Sequence, residues 1–215
     1  MCNQHFLGRK EVLLCVASLA LFLFLGKAAY SLPIGGEDPM EGRKEKLKIF
    51  REKRDLFFKE DPRSPLGEAD RKKFRGLPYY PIDLEYARVG VIEQYPNSQR
   101  SVYVNLPTNK GRDRRYVKYG RFKFEWAGKG YLLEVYRPLG GGELFLPFRD
   151  RTSGTETHPG GRYLPIEAIS GGRVLIDFNR AYNPFCEYSQ KYTCPYATEE
   201  NRLDIPIPAG EKRFR

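Results

Sequence analysis

Asp150, Glu156 and Asp177 are the carboxylates whose surroundings suggest chemistry rather than solubility. They lie in a stretch dense with hydroxyls and amides. It runs Asp150-Arg151-Thr152-Ser153-Gly154-Thr155-Glu156-Thr157-His158, passes Arg162, and resumes at Asp177-Phe178-Asn179-Arg180-Ala181-Tyr182-Asn183. Two such carboxylates can act as general acid and general base in hydrolysis of a glycan or ester. Together with Asn179 and Asn183 they can instead supply hard oxygen ligands to Ca²⁺ or Mg²⁺. Arg162 can clamp an anion, or pair with Asp150 or Asp177 through its planar fork of donors. Thr152 is either a ligand contact or part of a turn with Ser153 and Gly154. In the third reading these groups satisfy one another, with Asn179 and Asn183 capping irregular backbone. Ser153 with His158 makes a poor nucleophilic pair, since no oxyanion loop is visible.

The N-terminus sets the compartment. Arg9 and Lys10 precede a run from Val12 to Leu25 that is almost wholly apolar, and Ala29-Tyr30-Ser31 follows. The run is shorter than the roughly 20 residues of a spanning helix. It reads as a signal peptide cleaved before Leu32, or else as an N-terminal anchor over residues 12–30. Both place the body outside the cytoplasm, periplasmic or secreted. Cys15, preceded by Leu14, sits too early in the run for lipid attachment. The whole chain has 37 basic and 27 acidic residues among 215. Without residues 1–31 it has 34 basic and 26 acidic residues, a net charge of +8. It also keeps one histidine and two cysteines, too few for a comfortable zinc site.

The elements that must position these groups divide into two kinds. Residues 32–40 carry Pro33, Gly35, Gly36 and Pro39 and read as a tether. Glu41 to Glu60 reads as an amphipathic helix with Leu47, Phe50, Phe57 and Phe58 on one face and Arg51 and Arg54 at its edge. Beyond Leu84 the period becomes two, as in Val102, Val104 and Leu106, in Phe122, Phe124 and Trp126, and in Tyr131, Leu133 and Val135. Gly128-Lys129-Gly130 predicts a hairpin. Further strands are expected at 84–95, 114–119, 143–148 and 173–179. The P-loop and the G-x-S-x-G elbow are absent. The fold class is therefore mainly β (α+β), an antiparallel β-barrel or sandwich with an N-terminal amphipathic helix packed on it. One domain spans residues 41–215.

Pro147-Phe148-Arg149-Asp150, Gly161-Arg162-Tyr163-Leu164 and Asp177 through Pro184 closely resemble the bacterial and archaeal family catalogued as domain of unknown function 1684. Cys186, Cys194-Pro195, Glu200-Asn201-Arg202-Leu203 and Ile207 through Lys212 continue the resemblance. Arg54-Asp55, Ser64-Pro65-Leu66 and Phe74-Arg75-Gly76-Leu77 fit its earlier part, so it covers about Glu41 to Lys212. The family more usually carries Tyr at the place of His158, which argues against an essential catalytic role there. It more usually carries Pro within Tyr196-Ala197-Thr198. The resemblance implies exported or lipid-anchored proteins and brings no activity with it.

Cys186 and Cys194 close a short loop, and in an exported domain they read as a structural disulfide. The chain-entropy value for such a loop is roughly 2.5 kcal/mol. A redox or metal pair is the alternative. From Arg100 to Lys123 eight cations face Asp113 alone, with Tyr103, Tyr116, Tyr119 and Phe122 interleaved. Outside the cytoplasm an anionic envelope polymer or membrane surface suits this run better than nucleic acid. The expectation is a cell-envelope binding or structural module with a polar site around Asp150–Asn183 and an unidentified small-molecule ligand. The alternative is an extracytoplasmic hydrolase using a carboxylate pair and Arg162. No cofactor signature is present beyond the weak case for Ca²⁺ or Mg²⁺.

Overall fold

The computed structural model describes residues 38–96 and 102–214. The expected leader, most of the tether, and residues 97–101 and 215 lie outside the described residues. Helix α1 (Arg43–Glu60) follows Gly42, whose φ of 62° sets the turn into it, and ends at Asp61. Pro62 holds Asp61 in extended backbone and so stops the helix. Leu47 and Phe58 are buried, and Phe50 and Phe57 are half-buried. The inward face differs from an ordinary apolar stripe because it carries cations. Arg43 is buried, and Arg51 and Arg54 are half-buried along the same side. Phe58 packs with Leu66, Phe74, Leu77 and Tyr188, its ring 4.5 Å from Tyr188 edge to face. A short helix, α2 (Glu68–Lys73), crosses beside it.

The rest is mainly antiparallel β structure. Strands β1 (Ala87–Gly90), β9 (Val174–Asp177) and β8 (Ile166–Ala168) form one sheet in that order. The larger sheet is built on β4 (Arg114–Trp126), which pairs with β5 (Lys129–Pro138) on one edge. Its other edge takes β3 (Tyr103–Leu106) and then β2 (Ile92–Gln94). A third pair joins β6 (Pro147–Phe148) to β7 (Arg162–Tyr163). Phe122, Phe124, Leu133 and Val135 of the large sheet meet Ile176 of the small one in a shared core with Leu146, Phe148 and Phe178. The buried members of β4 alternate with exposed Arg121, Lys123 and Glu125, which is the period-two pattern at work.

Several expectations change. The described strands do not close into a barrel. β1 and β2 follow one another in the chain but pair with β9 and β4, so the wall is split between sheets. The single strand expected at 84–95 becomes a 3-10 turn at Leu84–Tyr86 followed by these two strands. The hairpin turn sits at Ala127-Gly128, one residue before the expected place, with φ of 48° and 74°. Positive φ at both central residues is what a tight hairpin turn requires. The strand expected at 143–148 shrinks to Pro147–Phe148 plus a bridge between Phe145 and Tyr136. No helix among the described residues is long and apolar enough to cross a membrane.

Candidate functional site

From Phe148 to Phe214 the chain makes few ladder bonds, so its backbone polar groups need side-chain partners. The residues singled out by sequence supply them, in three separate clusters. In the first, Asp150 accepts from Thr152 Oγ1 at 3.0 and 2.9 Å and from the Ile207 amide at 2.6 Å. Thr152 meets Thr157 at 3.0 Å. Arg162 is fully buried and donates to the carbonyls of Ala209, Glu211 and Ile207. Its nearest carboxylate oxygen, Asp150 Oδ1, is 3.5 Å away. Burial pulls the guanidinium pKa down, against the pull of Asp150. The chain reaches this arrangement through Gly161, whose φ is 96° and where any Cβ would run into the Phe148 carbonyl.

The second cluster is centred on Asp177. It accepts from Arg43 Nε at 2.7 Å, and its Oδ1 caps the following turn through Asn179 N at 2.9 Å. Asn179 in turn holds both backbone groups of Asp83, its Oδ1 accepting at 3.0 Å and its Nδ2 donating at 2.7 Å. Arg43 also donates to Glu167 at 2.9 Å, and Arg180 donates to the same oxygen at 2.7 Å. Burial lowers the Arg43 pKa, but these two carboxylates outweigh it and the net shift is upward.

The third cluster contains a residue that sequence reading missed. Glu211 is fully buried and accepts from Arg54 Nε at 2.5 Å, Tyr188 Oη at 2.6 Å and Asn183 N at 2.8 Å. Asn183 Nδ2 donates to the Lys212 carbonyl at 2.7 Å. Burial opposes the charge on Arg54, and Glu211 overcomes it and raises the pKa. Arg43 and Arg54 are three helical turns apart on one face of α1, so the helix pins the second and third clusters together.

The three candidate carboxylates do not converge on one site. Asp150 and Asp177 are buried in different clusters with their oxygens committed, and Glu156 is exposed beside Tyr80 and the Thr152 of the first cluster. The same dispersal removes the oxygen cage suggested for Ca²⁺ or Mg²⁺. Among the described residues no group of three or more His, Cys, Asp or Glu side chains is placed to hold a metal ion. Two cations of the basic run are paired. Arg121 pairs with Glu134 at 2.6 Å and Lys123 with Glu93 at 2.7 Å.

Open space lies elsewhere. A cleft of about 540 Å³ runs between Ile92 and Tyr119 on one side and Ile166 and Val174 on the other, with Leu144 and Leu146 at its base. Gln94, Arg180, Glu143 and Tyr182 are among its polar members. Arg180 is braced by Glu167 and lies 4.9 Å from the Phe50 ring centre. Phe145 and Tyr182 also line a neighbouring groove of about 550 Å³, whose far wall holds Arg114, Phe185, Tyr192 and Cys194. No local pattern announces these walls, because they are drawn from positions between 92 and 195.

Cys186 and Cys194, expected as a disulfide, are free thiols in the structure. They lie in contact, the Cys186 amide donating to Cys194 Sγ at 3.3 Å. His158 Nε2 is 3.8 Å from Cys186 Sγ and 3.9 Å from Glu187 Oε2. His158 Nδ1 accepts from the Gly160 amide at 3.1 Å. Burial lowers the His158 pKa, so the ring is neutral with its proton on Nε2, facing the thiol.

Residues 72–212 match the family described as Protein of unknown function (DUF1684). The fold is similar to that of an uncharacterized protein from Haloarcula marismortui solved by solution NMR. That chain is 32% identical, with 80% of this chain and 95% of that chain covered and a TM-score of 0.61. No curated protein matches the chain. The matched stretch holds Asp150, Arg162, Asp177, Cys186, Cys194 and Glu211, so the clusters and both cavities rest mainly on it. On this match the chain belongs to the family of the Protein of unknown function (DUF1684).

Proposed function

We propose that the protein is an extracytoplasmic binding module that takes a small amphipathic anion in the Arg180 cleft. The observation that carries this reading is the pairing of an apolar trough with one braced cation. Ile92, Leu144, Ile166 and Val174 offer the apolar wall, and Glu167 holds Arg180 beside it. About a quarter of the Arg180 side chain stays exposed and lines the cleft, so its guanidinium can meet a carboxylate or sulfonate there. A cleft of about 540 Å³ falls within the usual range for small-molecule sites. Commitment of Asp150 and Asp177 to internal bonds favours binding over hydrolysis. The leader sequence supports export, and the exported chain is expected to begin at Leu32. N-terminal sequencing of protein recovered from the envelope or medium would refute this by finding Met1.

The probe for the cleft is anilinonaphthalene sulfonate, whose fluorescence rises on entering an apolar site. Octanoate should displace it and octylammonium should not. Arg180→Gln is expected to weaken its binding about tenfold, the loss of roughly 1.4 kcal/mol. Equal affinity in the wild type and the variant would remove the Arg180 cleft as the site.

A further inference from the structure

We propose that Cys186 and Cys194 form a dithiol that exchanges with disulfides, Cys194 attacking and Cys186 resolving, in the groove beside Tyr182. The inference does not depend on the Arg180 cleft being a binding site. Its basis is the placement of the two sulfurs. Cys194 lines the groove although most of it is buried, and the more exposed Cys186 touches it from outside the groove lining, near the His158 ring.

The surroundings give the two sulfurs different roles. Cys194 Sγ accepts from the Cys186 thiol and from the Cys186 amide, and Arg114 lies close enough to favour a thiolate. Despite opposing burial, its pKa falls to about 7. Cys186 goes the other way, raised by donating to Cys194 and by burial. A thiolate near neutrality is the competent attacking form, and its partner stays protonated until needed. When Cys186 does lose its proton, His158 Nε2–H is positioned to donate to the sulfur that remains. The same tautomer opposes a metal at this place. A cation on Nε2 would move the ring proton to Nδ1, directly against the Gly160 amide.

The reaction balances without any further oxidant. Cys194 thiolate attacks one sulfur of the substrate disulfide. That S–S bond breaks, the Cys194–S bond forms, and the other substrate sulfur departs as a thiolate that solvent protonates. Cys186 then gives up its proton to solvent and attacks Cys194 Sγ. The mixed disulfide breaks, the Cys186–Cys194 bond forms, and the second substrate thiol leaves. Two protein thiols are oxidised by two electrons and one disulfide is reduced to two thiols. The groove favours an anionic, flat substrate, since Arg114 and Lys191 stand among the rings of Tyr116, Phe185 and Tyr192.

The test uses the reduced full chain and dithiobis(nitrobenzoate), an aromatic dicarboxylate disulfide. Two thionitrobenzoates should be released from this pair, and peptide mapping should find a Cys186–Cys194 disulfide carrying no adduct. Quenched-flow mass mapping of the wild type should find a transient adduct on Cys194 first. Cys186→Ser should stop at that adduct, and the rate of adduct formation in the wild type should inflect near pH 7. Arg114 and Glu187 also face the pair; the neighbouring Tyr116, Tyr163 and Tyr196 all have raised pKa values and that of His158 is lowered, so none of these four accounts for an inflection there. At pH 6 Cys194 should react roughly sixfold faster than an ordinary thiol. A thirtyfold larger thiolate fraction is partly offset by its weaker nucleophilicity. Cystamine, a dication, should react more slowly than the dicarboxylate relative to a model thiol. A first adduct on Cys186, a lasting adduct on both cysteines, or reactivity of Cys194 no greater than that of a model thiol would overturn the proposal. A cystamine rate equal to that of the dicarboxylate on the same scale would overturn the assigned substrate class. Because the wild-type adduct sequence is read directly, misfolding of a serine variant does not rescue the idea.

Discussion

Arg162→Leu is expected to destabilise the protein by about 3–5 kcal/mol, enough to remove a large share of a typical domain's stability. The guanidinium is fully buried, and its Nη1 and Nη2 reach the carbonyls of Ala209, Glu211 and Ile207. It also lies 5.1 Å from the centre of the Phe148 ring. Leucine would keep apolar contact with that ring and leave three carbonyls and Asp150 without their cation. Each buried polar group that loses its partner carries a desolvation penalty of about 1–3 kcal/mol. Arg162→Lys should recover little, because one ammonium cannot reproduce a planar fork spanning several acceptors. Equilibrium urea unfolding followed by Trp126 fluorescence checks both variants. A leucine variant within about 0.5 kcal/mol of the wild type would show that the C-terminal segment does not hang on this residue.

The contrast between β4–β5 and the segment after Leu139 explains what the sequence could reveal. In β4 the ladder satisfies the backbone, so side chains are free to sort by polarity, and Phe122 and Phe124 alternate visibly with charges. The row Leu144, Leu146 and Phe148 shows the same alternation, yet of its members only Phe148 lies in a strand pair. Here the alternation marks an apolar row entering the core on irregular backbone, and no period distinguishes that from a strand. The polar residues from Asp150 to Asn183 did signal a cluster, and the internal-satisfaction reading describes where their bonds go. Their partners were not legible. Arg43 lies 134 residues from Asp177, and Arg54 lies 157 residues from Glu211. Within Pro208-Ala209-Gly210-Glu211-Lys212 the glutamate looks like part of an exposed turn. Nothing local records that α1 brings a cation to cover it.

Export would place this architecture in a setting where salt and pH vary more than in the cytoplasm. Buried ion pairs are screened far less by salt than exposed ones, so clamping the irregular tail from inside suits that setting. Exposed pairs such as Lys48–Glu45 and Lys72–Glu68 add little in any medium. The stability of the tail should therefore be read at α1's inward arginines rather than at its charged outer face.

Glu211→Gln isolates that clamp, because the change removes charge while keeping shape. Glu211 Oε1 takes the Arg54 Nε–H, and Oε2 takes the Asn183 amide and the Tyr188 hydroxyl. A carboxamide offers only one acceptor oxygen. Whichever way it is turned, its NH₂ group faces a fixed N–H donor, either Arg54 or Asn183. Arg54 would also stay largely buried without its counter-ion, the situation in which breaking a buried pair costs about 3–5 kcal/mol. We expect a loss near the lower end of that range, since Arg54 keeps ring contact with Tyr182 at 4.9 Å. Arg54→Met alone should be similarly harmful, because it leaves a buried carboxylate uncompensated. The double variant, Arg54→Met with Glu211→Gln, should lose clearly less than the sum of the two, with a coupling energy of about 1–3 kcal/mol. Strict additivity in urea unfolding would mean that Arg54 and Glu211 stabilise the fold independently. In that case this pair is not a clamp, and α1 is held by Arg43 on Asp177 and by its Leu47 and Phe58 contacts.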